Sequence, residues 1–352
     1  MFPLNSWYAA GWADDLGRSL TPRTICGHKL VLYRRMDGAP AALADACWHR
    51  LVPLSLGVLR GDGVMCGYHG ITYDSQGRCT FMPSQETINP EASVRAYPAV
   101  ERHRLIWVWM GDASRADAAL IPDLHWAEDS EWAGAGDTIE VDCDYRLVLD
   151  NLMDLTHETY VHGTSIGNDA VAESPFTVSH TDNTVTVTRW MYSITPPPAW
   201  KSELGMRFPD YDGPVDRWQV IRWEAPSTIT IDVGVAKAGT GAPEGDYSQG
   251  VRGYVLNTLT PRSSSTATYY WLRMRNHTLE NLDLTEHFRS AVQSIFGEDE
   301  RMLNAQQVAI DAHPGYDFYN LNIDAGGLWV RRILDKLVLD EQTSDFADTS
   351  TR

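Results

Sequence analysis

Cys47-Trp48-His49 and Cys66-Gly67-Tyr68-His69 place two thiols and two imidazoles on two short stretches, with sixteen residues between His49 and Cys66. That ligand set suits a [2Fe–2S] centre in which one iron takes both sulfurs and the other takes both ring nitrogens. Exchanging two thiolates for neutral imidazoles removes negative charge and raises the potential, so the pattern points to a carrier of single electrons. The same four residues also suit a tetrahedral zinc. Zinc spacing, however, usually pairs Cys with Cys and His with His, and here a tight Cys-x-His would have to wrap one ion.

A second constellation, Asn151, Asp154, His157 and His162, lies in YRLVLDNLMDLTHETYVHG. Two neutral imidazoles with a carboxylate from elsewhere suit a two-histidine, one-carboxylate face on Fe(II), open to O2 and to a substrate. Positions i and i+5 of an ideal helix lie about 140° apart. The helix must therefore loosen or stop before His162, and Gly163 makes a stop cheap. Asp154, one turn before His157, can accept a hydrogen bond from the ring N–H of a metal-bound histidine. The competing reading is that both histidines only cap or pack at a helix end.

The elements that must hold these groups fall into two parts, a first domain over 1–112 and a second over 113–352. The first reads as antiparallel β, with TICGHKLVLYRR, PAALADAC, GVMCGYHGITYD and HRLIWVWMGD as short β-branched and aromatic runs between Gly, Pro and Asp clusters. The second is mixed. Leu147, Leu149, Leu152 and Leu155 recur at helical spacing, and TEHFRSAVQSIFGEDERMLNAQQVAI reads as a long amphipathic helix. NTVTVTRWMYSIT, DRWQVIRWEAPSTITIDVGV, YVLNTLTP and STATYYWLRMRN between them suit an antiparallel sheet. The fold class is α+β, and the tail from Asp340 reads as frayed.

Composition narrows the function. A formal net charge of −18 argues against a nucleic-acid backbone or an anionic membrane as partner. It also requires any pocket for an anion to be locally positive. No run approaches the roughly 18 apolar residues of a membrane span, and no secretory leader is visible, so a cytoplasmic location is expected. Of five cysteines, Cys26, Cys79 and Cys143 are left over and read as small buried side chains.

With both motifs in hand, the chain resembles the Rieske non-haem iron oxygenases. Within them it is most similar to the vanillate O-demethylase oxygenase family, through PLSLG, CGYHG, DYRLVLDNLMDLTHETYVH, PVDRWQVIRW and LNIDAGG. The resemblance implies a helix-grip-like second domain, with helices over an antiparallel sheet. It implies Cys47, His49, Cys66 and His69 as cluster ligands, and His157 and His162 as ligands of a mononuclear Fe(II). Asp299 is the implied third ligand, with Glu298, Glu300 and Asp311 as rivals. Asp154 matches a bridge to a cluster histidine of a neighbouring subunit in a ring, usually a homotrimer, and Asn151 matches a position near the iron. The first loop departs from the family's Cys-Pro-His-Arg-Gly form at Trp48 and Leu51. Trp48 either covers the cluster, meets the reductase or packs.

The resemblance further implies a flavin/ferredoxin-type reductase that delivers NAD(P)H electrons singly to the cluster. The reaction it implies is O-demethylation of a small aromatic acid with O2, vanillate giving protocatechuate and formaldehyde. Syringate, a chlorinated methoxybenzoate or an aryl methyl group remain alternative substrates. On the late strands Trp223, Asp232, Thr258, Tyr270, Trp271 and Arg275 are candidates to face the substrate, with Arg222, Lys237 or Arg275 as partners for a carboxylate. A bare electron carrier and a zinc hydrolase are the rival classes; the first has no use for the second constellation, and the second none for the first domain.

Overall fold

Strand His28–Arg34 is buried on both faces over Leu30–Tyr33, which is why LVLY reads as a continuous apolar run rather than an alternating one. The computed structural model to which it belongs describes residues 1–349. Leu30 and Leu32 enter one core with Tyr8, Ile106 and Val108, whereas Val31 and Tyr33 enter another with Leu54, Val64, Tyr73, Cys47 and Cys66. Three small antiparallel sheets surround these cores. One joins Trp7–Trp12, Leu105–Trp109 and Ala99–Arg102; the second joins Thr21–Ile25, His28–Arg34, Pro40–Ala44 and Ala96–Tyr97; the third joins Val58–Arg60, Gly63–Met65, Thr72–Tyr73 and Cys79–Phe81. The third carries the second Cys-His pair in the connection from Met65 to Thr72.

By its contacts this first unit comprises Met1–Asp123 together with Thr260–Ser263 and the chain from Asp340. The second unit comprises Leu124–Leu259 and Ser264–Leu339. The change at Asp123 falls later in the chain than residue 112, after two single turns at Ala113–Arg115 and Ala118–Leu120.

The second unit is built on a seven-stranded sheet. Its order is Ala133–Val141, Thr266–Arg275, Gly250–Ser263, Thr228–Lys237, Val215–Glu224, Thr184–Ile194 and Phe176–His180. Along the chain this is an antiparallel meander whose earliest strand returns to the far edge. The helices are α1 (Tyr145–Met153), α2 (Glu158–Val161), α3 (Asp169–Glu173), α4 (Pro198–Arg207), α5 (Leu282–Ala312) and α6 (Ala325–Thr349).

The expected helix over YRLVLDNLMDLTHETYVH is broken. Asp144 caps its start by accepting from the Arg146 N–H at 3.0 Å, and α1 ends at Met153 because Asp154 turns extended, at φ −126° and ψ 99°. The Asp154 carboxylate then accepts from the Thr156 N–H at 2.9 Å and starts a tight turn, Leu155–His157, which passes directly into α2. The long helix read from TEHFRSAVQSIFGEDERMLNAQQVAI is α5. Its register along strand Ala133–Val141 and the start of α1 is set by Arg289 to Asp137 at 2.7 Å and by Gln307 accepting from the Asp144 N–H at 2.9 Å.

Helix α6 was not expected. The tail read as frayed is helical through Thr349, and its last three residues lie outside the described ones. In the LNIDAGG run, a Cβ on Gly326 would approach Val187 Cγ2 to 2.6 Å, and one on Gly327 would approach Asp150 Oδ1 to 2.9 Å. Two glycines thus let α6 lie close to α1, where Arg331 clasps Asp150 at 2.9 and 3.0 Å. Among the described residues no helix is long and apolar enough to cross a membrane.

Candidate metal centres

Cys47 and Cys66 each open the same turn. In the first, the Cys47 N–H donates to the Val52 carbonyl at 2.9 Å and the Leu51 N–H donates to the Cys47 carbonyl at 2.8 Å. In the second, the Cys66 N–H donates to the Ile71 carbonyl at 2.8 Å and the Gly70 N–H to the Cys66 carbonyl at 3.0 Å. The residue closing each turn is left-handed, Gly70 at φ 78° and Leu51 at φ 58°. Glycine takes that conformation freely; for leucine it costs about 1–2 kcal/mol.

Both thiols are buried while His49 and His69 are exposed, their ring centroids 4.7 Å apart. This division fits a cluster whose sulfur-held iron is inside and whose imidazole-held iron is at the surface. Burial pushes the Cys47 thiol pKa up, so a thiolate there needs a cation beside it. Tyr73 Oη accepts from the Trp48 N–H at 3.1 Å and lies 3.2 Å from Cys47 Sγ, leaving its proton for the sulfur. Trp48 itself is 42% exposed. Of the remaining cysteines, Cys79 packs against the core that holds Cys47 and Cys66, and Cys26 and Cys143 are buried.

Among the described residues, His157, His162 and Asp299 form a group whose ligand atoms all lie within 4.8 Å of one another.

The second group is aimed from behind. His157 Nδ1 donates to the Asp154 carbonyl at 2.7 Å, and His162 Nδ1 donates to Glu298 Oε2 at 2.6 Å. Both acceptors lack protons, so both rings carry theirs on Nδ1 and present Nε2 as the lone-pair atom. The two Nε2 atoms stand 3.4 and 3.2 Å from the same oxygen, Asp299 Oδ1, which also accepts from Asn151 Nδ2 at 3.2 Å. His162 Nε2 is fully buried and has no hydrogen-bond partner. Burial opposes charging of His162, but Asp299 and Glu298 outweigh it and raise its pKa, so the spot attracts a cation. The donor set fits Fe(II).

The Asp154 carboxylate does not touch the His157 ring; the backbone carbonyl takes that role while the side chain caps the turn. Glu298 is the partner behind His162 rather than a rival ligand. Glu300 faces Asn304, and Asp311 accepts from Gln307.

His157, His162 and Asp299 line one wall of a cleft. Leu152, Leu155, Ile231, Val233, Val255 and Phe296 make it largely apolar. Phe296 is backed by the rings of Tyr269 and Trp271, each with its centroid at 5.4 Å.

None of the six expected substrate contacts is among the residues lining the cleft, and strand alternation explains most of this. Ile231 and Val233 face the cleft, so Asp232 faces away and holds Arg252 and Trp218. Val255 faces the cleft, so Thr258 does not; it accepts from Thr228. Tyr270 lies on the face opposite Tyr269 and Trp271, and Trp271 stands one layer behind Phe296. Trp223 is fully buried further along its strand. Arg275 ties the approach to α5, donating to Thr285 and to the Thr278 and Asn281 carbonyls. Arg222 pairs with Glu224 and Lys237 with Gln249.

Charged residues do reach the cleft, but they are ones the sequence reading passed over. Arg217 donates to Glu158 at 2.7 Å, and Gln219 Nε2 donates to the same oxygen at 2.9 Å. Arg273 meets Glu203, which also holds His277 at 2.9 Å. The signal was the spacing of Arg217 and Gln219, which share a strand face with buried Ile221 and Trp223.

Two family models match the chain. The Rieske [2Fe-2S] domain family matches residues 6–98, and the family described as vanillate O-demethylase oxygenase C-terminal domain matches residues 141–340. The chain is 41% identical to a vanillate O-demethylase oxygenase subunit of Pseudomonas sp. (strain HR199 / DSM 7063), covering 97% of this chain and 96% of that one. It is 33% identical to the oxygenase component of dicamba O-demethylase from Stenotrophomonas maltophilia, covering 96% and 98%. Among solved structures, dicamba monooxygenase with non-heme iron and dicamba superposes with a TM-score of 0.83 at 30% identity, covering 97% of this chain and 99% of that one.

Two outcomes follow from the hydrogen bonds behind the ligands. Tyr73→Phe removes a donor to Cys47 Sγ and lowers the cluster potential by an amount on the order of tens of mV, read by redox titration of its visible spectrum. Glu298→Ala weakens iron binding about 10- to 100-fold in a chelator competition while the cluster content stays constant.

Proposed function

We propose, from the premise that this chain belongs to the Rieske non-haem iron oxygenases and within them to the vanillate O-demethylase oxygenase family, that it is the terminal oxygenase that demethylates a methoxylated aromatic acid. Vanillate is the expected substrate, and protocatechuate, formaldehyde and water are the products from one O2, two electrons and two protons. The observation that carries this reading is the position of His157, His162 and Asp299 on the wall of an apolar cleft, so that a methyl ether lying there meets the ligand face. A carrier without chemistry would need no such cleft. The dicamba-demethylating relative keeps other methoxylated aromatic acids in view as substrates.

Cys47, His49, Cys66 and His69 would hold the [2Fe–2S] cluster, and His157, His162 and Asp299 the mononuclear iron. When bound, these groups supply single-electron transfer and O2 activation. The protein supplies position and dryness. The Asp154 carbonyl and Glu298 keep both imidazoles in one tautomer, Asn151 steadies Asp299, and the aliphatic wall excludes bulk water from the reacting methyl group. A separate flavin/ferredoxin-type reductase delivers the electrons. The exposed His69 ring and the 16% exposed Asp154 side chain support a ring of three copies, in which Asp154 of one copy meets His69 of the next.

Formaldehyde release from a panel of methoxybenzoates, with a reconstituted reductase, is the direct test; no release from any of them would sink the reading. His157→Ala is expected to abolish release while the brown cluster spectrum persists. Asp154→Asn keeps a side chain able to cap the turn, yet should retain both metals and lose coupling between them. Wild-type turnover in that variant would reject the bridge.

A further inference from the structure

Resting on the aromatic-acid reading above, we propose that Arg217 and the indole N–H of Trp200 form the anion-recognition pair of the cleft and hold the substrate's carboxylate. Two guanidinium groups line this space. Arg273 is engaged at both ends: Nη1 donates to the Met274 carbonyl, and Nη2 lies 3.2 and 3.3 Å from the two Glu203 oxygens. Arg217 is not. Its Nη2 donates to Glu158, while Nε and Nη1 are buried with no partner among the described residues. Trp200 Nε1, carried on α4, is in the same condition, and the Arg217 Cζ lies 5.9 Å from the centre of its ring.

Buried N–H groups left unpaired are costly, most of all on a charged side chain. The cleft's own acceptors are already engaged: Glu158 accepts from Arg217 and Gln219, and Asp299 accepts from Asn151. The remaining lining is mostly aliphatic or aromatic. The missing partner is therefore the ligand, a flat apolar body with an acceptor-rich anionic end. A carboxylate offers about four lone-pair sites, and its hydrogen bonds to a guanidinium are charge-assisted. A chain with a formal net charge of −18 can bind such an anion because the donors that meet it are enclosed with it, away from the surface acids.

The test is a titration of the holoenzyme with vanillate and with its uncharged amide, followed by Trp fluorescence or heat, alongside formaldehyde release. Arg217→Lys keeps a cation beside Glu158 and so guards the fold, but removes the Nε and Nη1 donors. It is expected to weaken vanillate binding about 10- to 100-fold and to change amide binding less than about twofold. Trp200→Phe keeps the ring and should weaken vanillate binding several-fold, again without effect on the amide. Unchanged vanillate affinity in both variants, or equal loss for acid and amide, would overturn the assignment. A wild-type enzyme that demethylates no methoxybenzoate would instead strike the substrate reading, and the binding titrations would still decide the anion pair.

Discussion

Two histidines five residues apart must aim at one point, and a continuous α-helix cannot bring them there. The interruption at Asp154 is the constraint on which the rest of the second unit depends. Because the backbone turns extended at that residue, its carbonyl is released from the helix ladder and becomes the acceptor behind His157. Its carboxylate starts the next turn, and His162 closes α2 with its ring directed at α5. The break leaves backbone groups that only neighbours can satisfy. Arg331 of α6 and the contacts of α5 with strand Ala133–Val141 hold α1 in place around it.

Much of this arrangement was legible beforehand, and the parts that were not share a cause. The two Cys-His pairs and the need for a break before His162 could be read because their evidence is local, spacing within a loop or an angle of about 140° on a helix, whereas Asp299 came from the resemblance alone. The long helix α5 was readable from its own periodicity. The cleft lining was not, because a residue's face in a strand depends on register, and register is set by partners remote in the chain. Asp232 and Thr258 look as suitable as Ile231 and Val255 until the strand faces are known. Helix α6 was missed because LNIDAGG entered only as a mark of the resemblance and the tail from Asp340 read as frayed, whereas the two glycines serve close approach to Asp150 and Val187.

Charge within the second unit follows a different rule from charge on the surface. Two of its buried ions occur in partnered sets: Arg217 with Glu158 and Gln219, and Glu203 with Arg273 and His277. Burying each ion alone would cost several kcal/mol, which the partner offsets. Among neutral alternatives an apolar set would serve stability as well. What the ionic sets add is fixed donors beside the metal face, so that the cleft is polar at chosen points and dry elsewhere.

The two loops around Cys47 and Cys66 repeat one hydrogen-bonding scheme, but only the Gly70 copy rests in a conformation natural to its closing residue. The Leu51 copy is held against a steric preference for the opposite sign of φ. With iron gone, the first loop has a reason to spring open that the second lacks. Damage by oxidants should therefore unravel the cradle from the Cys47 side, and reassembly should begin from the half that kept its shape.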